Sequence, residues 1–194
     1  MLRGATVALR ARVDADVAVL HAELYDDIVT RSRADGRPWR PVSADAAAAP
    51  FRKTEPTADA ELFSVIELAR DELAGAAELW HIDLHNRSAH LGVTLRPAFR
   101  GRGLGTDVVR VLCLYGFAVR GLHRLQLETL ADNTAMIRAA TRNGFVHEGT
   151  LRAAAWLGGE FVDEALYGIL DWQWDAVSPP DPLGLRASGP DRGE

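Results

Sequence analysis

Residues 94–112 read TLRPAFRGRGLGTDVVRVL, and their centre is Arg100-Gly101-Arg102-Gly103-Leu104-Gly105. Glycine has no Cβ, so a chain with three glycines in five residues turns sharply and presents bare N–H groups. Two arginines flank those glycines, and an amphipathic run follows at once. A loop of this kind at a helix N-terminus is an anion-binding device, because the unsatisfied amides and the helix dipole both favour negative charge.

Three phosphate-binding patterns compete for the loop. A dinucleotide fingerprint, G-x-G-x-x-G, would place glycines at 101, 103 and 106, and position 106 is Thr106. A Walker A loop needs Gly-Lys, a pair this chain lacks. The pattern [QR]-x-x-G-x-[GA] fits through Arg100, Gly103 and Gly105.

The flanks decide the architecture. Upstream, Thr6–Arg10 alternates as a strand, and Asp14 or Asp16 caps a helix with apolar residues at Val17, Leu20, Leu24 and Ile28. Residues 31–58 hold Gly36, Pro38, Pro41, Pro50 and Pro56; Ser43 and Asp45 offer a start for one short helix there. A connection this long is expected to be functional or mobile. Leu62–Leu68 and Ala76–His85 read as antiparallel strands, and Ala89–Leu95 as a third, ended by Pro97. After the glycine loop, Val108, Val111, Leu112, Tyr115 and Val119 keep helical spacing, and Gly121 closes the helix. Leu125–Leu130 is a strand, Asp132-Asn133-Thr134 caps a helix that Asn143-Gly144 ends, and Phe145–Leu151 and Phe161–Leu170 are the last strands. The fold class is α/β (α+β): a single mixed, mostly antiparallel central sheet flanked by helices.

The loop and its surroundings together resemble the GNAT superfamily of acyl-CoA-dependent N-acyltransferases. GVTLRP (92–97) matches the strand before the loop, and LQLETLADNTAMIRAATRNGF (125–145) matches the strand–helix unit after it. GTLRAAAWLGGEFVDEALYGIL (149–170) is similar to the RimJ/RimL-type branch through Gly149, Arg152, Gly158 or Gly159, Asp163 and Tyr167. The resemblance covers roughly residues 4–175. It implies a GNAT fold in which the strand ending at Leu95 and the strand starting at Leu125 splay apart. The expected organisation is a domain over 1–175 and a Pro/Gly-rich tail over 176–194.

The resemblance also implies a site. The backbone of Val93 and Leu95 would pair with a pantetheine arm. Arg100, Gly101, Arg102, Gly103, Leu104, Gly105 and Thr106 would hold the CoA pyrophosphate, with Asn133 on the cofactor arm and Arg142 near the phosphates. Glu128, five residues before Asn133, takes the place of a base glutamate in related N-terminal acetyltransferases. As a residue on a strand it is equally a solvated carboxylate or an arginine partner. Many members carry a Tyr general acid where this chain has Ala140, and some RimL-type members a Ser where it has Met136. Thiolate is a tolerable leaving group without such an acid, and an α-amine is more readily neutral than a lysine amine.

Trp39, between Arg37 and Arg40, and Trp156, in the last hairpin, are either core or acceptor-binding residues. Aromatic walls with flanking Arg favour a peptide or acidic acceptor over a polycation. His81-x-Asp83-x-His85 offers three metal ligands on one strand face, but its alternation with Ile82 and Leu84 reads as the polar face of an edge or hairpin strand, so no metal is expected. Cys113 fits helical periodicity. Trp172 and Trp174 read as packing or subunit contact.

Net charge is −5, which argues against wholesale nucleic-acid binding. Hydrophobic residues make up 47%, enough for a sizeable core. One cysteine, no apolar leader and no membrane-length window suggest a cytoplasmic protein with no membrane partner; a homodimer is a further expectation. The expected activity is acetyl-CoA-dependent N-acetylation of a protein N-terminal α-amine or a small-molecule amine. The alternatives are a catalytically weak acyl-CoA-binding module or use of another donor such as succinyl-CoA.

Overall fold

The computed structural model describes residues 1–52 and 57–177. Pro56 and the tail from Ser178 lie outside the described residues. One eight-stranded sheet organises the chain, in the order β1-β2-β3-β4-β5-β6-β8-β7. Its strands are β1 (Leu2–Arg3), β2 (Val7–Ala11), β3 (Ala60–Glu67), β4 (Glu72–Asp83), β5 (Ser88–Leu95), β6 (Arg124–Leu130), β7 (Val146–Leu157) and β8 (Glu160–Leu170). Helices α1 (Asp14–Leu24) and α2 (Ile28–Ala34) precede β3; α3 (Leu104–Leu114) links β5 to β6; α4 (Thr134–Arg142) follows β6; α5 (Asp171–Val177) closes the described chain.

Only β5 and β6 pair in parallel; every other pairing is antiparallel. A parallel pair needs a crossover, and α3 supplies it. The parallel ladder has just three rungs, Ser88–Arg124, Ala89–Leu125 and His90–Gln126. Beyond His90, β5 stays paired with β4, from Leu91–Leu79 to Leu95–Gly75. Beyond Gln126, β6 stays paired with β8, from Leu127–Tyr167 to Leu130–Glu164. The sheet therefore opens into a V at its centre, the splay that the resemblance implies.

The main core lies between the sheet and α3 and α4. Val108, Val111, Leu112, Leu125 and Ile169 have no solvent exposure there. A smaller cluster packs Leu20 and Leu24 of α1 on Ala76 of β4. Asp107 in the first turn of α3 accepts the Thr6 amide at 2.6 Å and the Val7 amide at 3.0 Å, which locks that helix end to β2. A Cβ on Gly4 would stand 2.4 Å from the same carboxylate, so glycine is needed for the approach.

Several boundaries differ from the sequence expectation, each for a local reason. Ile28 does not continue α1. Asp27 accepts the Val29 amide at 3.0 Å and the Thr30 amide at 3.3 Å, starts α2 and leaves Ile28 exposed. The residue before α1 is Val13, not an aspartate; Asp16 reaches back to its amide at 3.0 Å. No helix forms at Ser43 or Asp45; Ala46 donates to the Ser43 carbonyl at 3.0 Å in a simple turn. After α3 the chain widens its turn in a π segment, Tyr115–Val119. The extra residue in that turn rotates Val119 to the surface, where it is half exposed. Leu157-Gly158-Gly159-Glu160 makes a two-residue hairpin turn with both glycines at positive φ.

Candidate functional site

Two cavities meet at the splay. The first, of about 470 Å3, runs from the glycine loop along the open edge of β5, between α2 and α4. The second, of about 630 Å3, lies beyond it among β4, β6, β7, β8 and residues 32–37. Val93, Thr94, Asn133 and Met136 line both, so the two are continuous at the point where β5 and β6 part.

The first cavity is built for an anion. Gly101 (φ 71) and Gly103 (φ 80) take the left-handed conformation and bring the chain into α3. The first amides of α3, at Leu104 and Gly105, have no carbonyl one turn behind them and face a positive dipole end. A Cβ at Gly103 would find nothing within 4 Å, so the space above it is open. Among the described residues, Arg33, Arg100, Arg138 and Arg142 line this cavity and no carboxylate does. The Arg100 Nε donates to the Leu95 carbonyl at 2.9 Å, tying the loop to the strand end. Asn143, buried, donates to the Thr106 carbonyl at 3.0 Å and the Ala139 carbonyl at 2.8 Å, so the end of α4 braces the first turn of α3.

Most of the residues assigned from sequence come together here. Val93, Leu95, Arg100, Gly101, Gly103, Leu104, Gly105, Thr106, Asn133 and Arg142 all line this cavity. Asn133 also caps α4, accepting the Met136 amide at 3.2 Å and donating to the Thr129 hydroxyl at 2.9 Å. Arg102 is the exception. Its guanidinium turns away to Glu67, a buried carboxylate of β3, and lies over the Phe99 ring at 5.8 Å.

The second cavity has the opposite character. Glu78, Glu128, Glu164 and Asp35 line it, against Arg33, Arg37 and His81. Both arginines are already paired, Arg33 with Asp132 and Arg37 with Asp35, each at 2.6 Å. Burial pushes the Glu78 carboxyl up, with Arg12 opposing. Its side chain occupies the room left by Gly92, where a Cβ would stand 2.9 Å from the carboxylate oxygen. Burial, and after it the charge of Glu128, also pushes the Glu164 carboxyl up.

Behind Glu128 stands a fixed chain of partners. Arg124 Nε donates to Gln126 Oε1 at 3.0 Å, which turns the Gln126 amide nitrogen to His90 Nε2. The other ring nitrogen, buried Nδ1, lies 3.8 Å from Glu128 Oε1. Burial lowers the His90 pKa, with Glu128 opposing.

Of the two expected acceptor tryptophans, only Trp156 lines this cavity; it is largely exposed and packs edge-on against Phe161 at 4.8 Å. A bulge in β7 presents it. Ala153 takes φ 49, and its amide donates to Asp163 Oδ1 at 2.8 Å. Trp39 stands elsewhere: its indole donates to the Tyr25 carbonyl at 3.0 Å, and its ring packs on Tyr25. Tyr25 hydroxyl in turn donates to the Arg40 carbonyl at 2.8 Å. Trp39 thus pins residues 35–40 to α1. The expectation of an arginine-flanked acceptor wall gives way to a cavity rich in carboxylates.

Glu78 and Glu164 were not singled out in the sequence. The signal was there: each is a charged residue between apolar ones in strand alternation, Ala76-Glu78-Trp80 and Val162-Glu164-Leu166. Asp83 is taken by the His85 amide at 2.8 Å and the Asn86 amide at 2.9 Å; among the described residues no group of three ligands could hold a metal ion. Cys113 is wholly buried, which pushes its thiol far above the usual range. Ala140 is wholly buried as well, so it faces the core rather than either cavity. Trp174 packs on Phe117 at 5.6 Å, and Trp172 is exposed. No described helix is long and apolar enough to cross a membrane.

Comparisons with known proteins bear on the family and the fold. The model of the acetyltransferase (GNAT) domain matches residues 6–146. The spermidine N(1)-acetyltransferase of Vibrio cholerae is 29% identical over 105 residues, 54% of this chain and 61% of that protein. The ribosomal-protein-serine acetyltransferase of Escherichia coli is 31% identical over 116 residues, 59% of this chain and 63% of that protein. The chain thus matches about three fifths of the length of these curated relatives. The crystal structure of spermidine N-acetyltransferase from Vibrio cholerae with CoA and spermine superposes with a TM-score of 0.76 at 23% identity, covering 87% of this chain and 98% of that one. At that identity the likeness is one of fold.

Proposed function

Since the chain belongs to the acetyltransferase (GNAT) family, we propose that it transfers an acetyl group from acetyl-CoA to a primary amine. The observation that carries this reading is the segregation of charge across the splay. One cavity offers helix amides and Arg100, Arg138 and Arg142 to a polyanion, the other offers carboxylates to a cation, and the two meet at Val93, Thr94, Asn133 and Met136, with Arg33, paired to Asp132, lining both. A CoA thioester is a polyanion at one end and neutral at the other, and an amine acceptor is a cation until it reacts.

In this reading Leu104 and Gly105 amides, with Arg100, Arg138 and Arg142, bind the pyrophosphate. The free edge of β5 at Val93–Leu95 pairs with the amides of the pantetheine arm as a further strand would. The thioester then lies at the splay and the acceptor enters from the carboxylate side. Glu128 assists deprotonation of the ammonium, directly or through water, and the neutral amine attacks the carbonyl carbon. The C–N bond forms, the C–S bond breaks and the sulfur leaves as thiolate. Neither Met136 nor buried Ala140 offers it a proton, and a thiol pKa near 8.5 makes a separate acid dispensable at neutral pH. The carboxylates also favour a neutral acetyl group over a succinyl donor, whose free carboxylate they would repel.

The acceptor is proposed to be a cationic amine, a peptide N-terminus or a small molecule, with Trp156 along its stem. A cytoplasmic setting fits the free, buried Cys113, and a homodimer belongs to the same proposal. The test is thiol release from acetyl-CoA with a panel of primary amines. Amine-dependent release is the expected result. Tight CoA binding without release under any amine would instead identify a binding module.

A further inference from the structure

The acceptor cavity holds a carboxylate pair, and the inference drawn from it rests on the acetyl-transfer reading. Glu164 of β8 stands opposite Leu130 of β6, and Glu128 stands opposite Leu166. Residues two apart on a strand share a face, so Glu128 and Glu164 lie on one face of this strand pair, on a cross-strand diagonal within reach of long side chains. Both line the same 630 Å3 cavity. Among the described residues neither is ion-paired with an arginine. The side chain of the next residue, Asp163, serves the β7 bulge instead.

We propose that Glu164 is a second catalytic carboxylate, and that it and Glu128 hold the acceptor's ammonium between them and share the proton it gives up. One N–H bond of R–NH3+ breaks and its proton passes to the pair, leaving the lone pair on a neutral amine. That nitrogen attacks the thioester carbon as the C–S bond breaks and the thiolate takes the electron pair. The second proton lost by nitrogen converts thiolate to thiol. The proton held by the pair is the one released to solvent, so amine, thioester, amide, thiol and proton balance.

The physical reason is that two like charges in one pocket cannot both stay bare cheaply. Burial, and after it the charge of Glu128, raises the affinity of Glu164 for a proton. A carboxylate so shifted is a better base for an ammonium than one in open water. The other charged or titratable groups around the pair are Glu78 and His81 from β4, Arg33, Asp35 and Arg37 from the α2 side, and His90 of β5, whose Nδ1 lies 3.8 Å from Glu128. Arg33 and Arg37 are engaged with Asp132 and Asp35, so they do not neutralise the pair.

The test uses the full chain, acetyl-CoA, and tyramine, 1,3-diaminopropane and a serine-initiated peptide as amine probes. On the best of these, E164Q and E128Q should each lower kcat about 100-fold with the acetyl-CoA KM kept. The double variant should fall little further, because two groups that act as one are non-additive. E164D should recover part of the rate. Carbon-detected carboxyl titration should show Glu164 moving to lower pH in E128Q. Wild-type kcat and an unchanged acidic limb in E164Q would overturn the inference and leave acetyl transfer standing. A wild type that acetylates none of the probes while still binding CoA overturns the acetyl-transfer reading and this inference with it.

Discussion

Arg100 and Arg102 are two residues apart in one loop, and the fold gives them different work. Arg100 lines the cationic cavity and ties the Leu95 carbonyl. Arg102 hydrogen-bonds one carboxylate oxygen of Glu67, which is 2% exposed. Arg100→Ala is therefore expected to weaken CoA binding about tenfold while the melting temperature changes little. Arg102→Ala should do the reverse: it leaves a buried carboxylate with Arg70, 4.0 Å away, as its remaining cation, a cost on the order of 2 kcal/mol, while CoA affinity is nearly kept. Calorimetry and thermal melts on both variants check the pair. From the sequence the two arginines were equivalent, since the partner of Arg102 lies 35 residues away on β3. The loop pattern itself was legible, because the backbone chemistry of Gly101, Gly103 and Gly105 is local. Trp39 shows the same limit: an isolated tryptophan between arginines reads as a binding wall until Tyr25 is seen beneath it.

Among the elements, α3 and the β7 bulge carry the site. Gly103→Val adds a branched side chain at positive φ, costing about 1–2 kcal/mol, and fills the open space above the helix amides. CoA binding should be lost in a protein that still folds; unchanged affinity by calorimetry would remove the loop from the donor site. Asp163→Ala frees the Ala153 amide that holds the bulge. β7 then settles into another register and Trp156 moves, so acceptor KM should rise several-fold while the KM for acetyl-CoA is kept, as steady-state kinetics would show. Strands and helices with regular periodicity were readable: β5, α3, β6, α4 and β8 start or stop within a few residues of where alternation and caps put them. Elements governed by one side chain were not. The break between α1 and α2 turns on Asp27, and β1 is a two-residue strand whose place depends on β2. The length of β7 reflects pairing with β8 across a bulge, which alternation alone cannot reveal.

Across the whole molecule, paired carboxylates set the response to acid. Burial alone would raise the Asp16 pKa. Hydrogen bonds from Arg10, the Val13 amide and the Ser64 hydroxyl outweigh it and hold the carboxyl at about 2. Asp35 is held at about 2 by Arg37 and Arg31 against its own burial. Both folded-state values are depressed, so their stabilisation is complete above pH about 4 and fades as pH falls toward about 2. Asp16→Asn should lower the melting temperature at pH 7, and the gap from wild type should close between pH 4 and pH 2. A gap constant across that range in pH-dependent melts would count against it.

The three-rung ladder between β5 and β6 has a mechanical meaning. The sheet is two slabs, β1–β5 and β6–β8, stitched at one end and braced by α3 and α4. In the proposed site, a molecule lying along Val93–Leu95 would act as a keystone for both slabs, touching β5 on one side and α4 on the other. Ligand and scaffold then stabilise each other by mass action. The amides along the open edge should exchange with deuterium fastest when the V is empty and slow down when it is filled. A chain nicked at the exposed turn around Gly121 would break at the stitched seam, and its two fragments should reassemble more readily in the presence of the donor than without it.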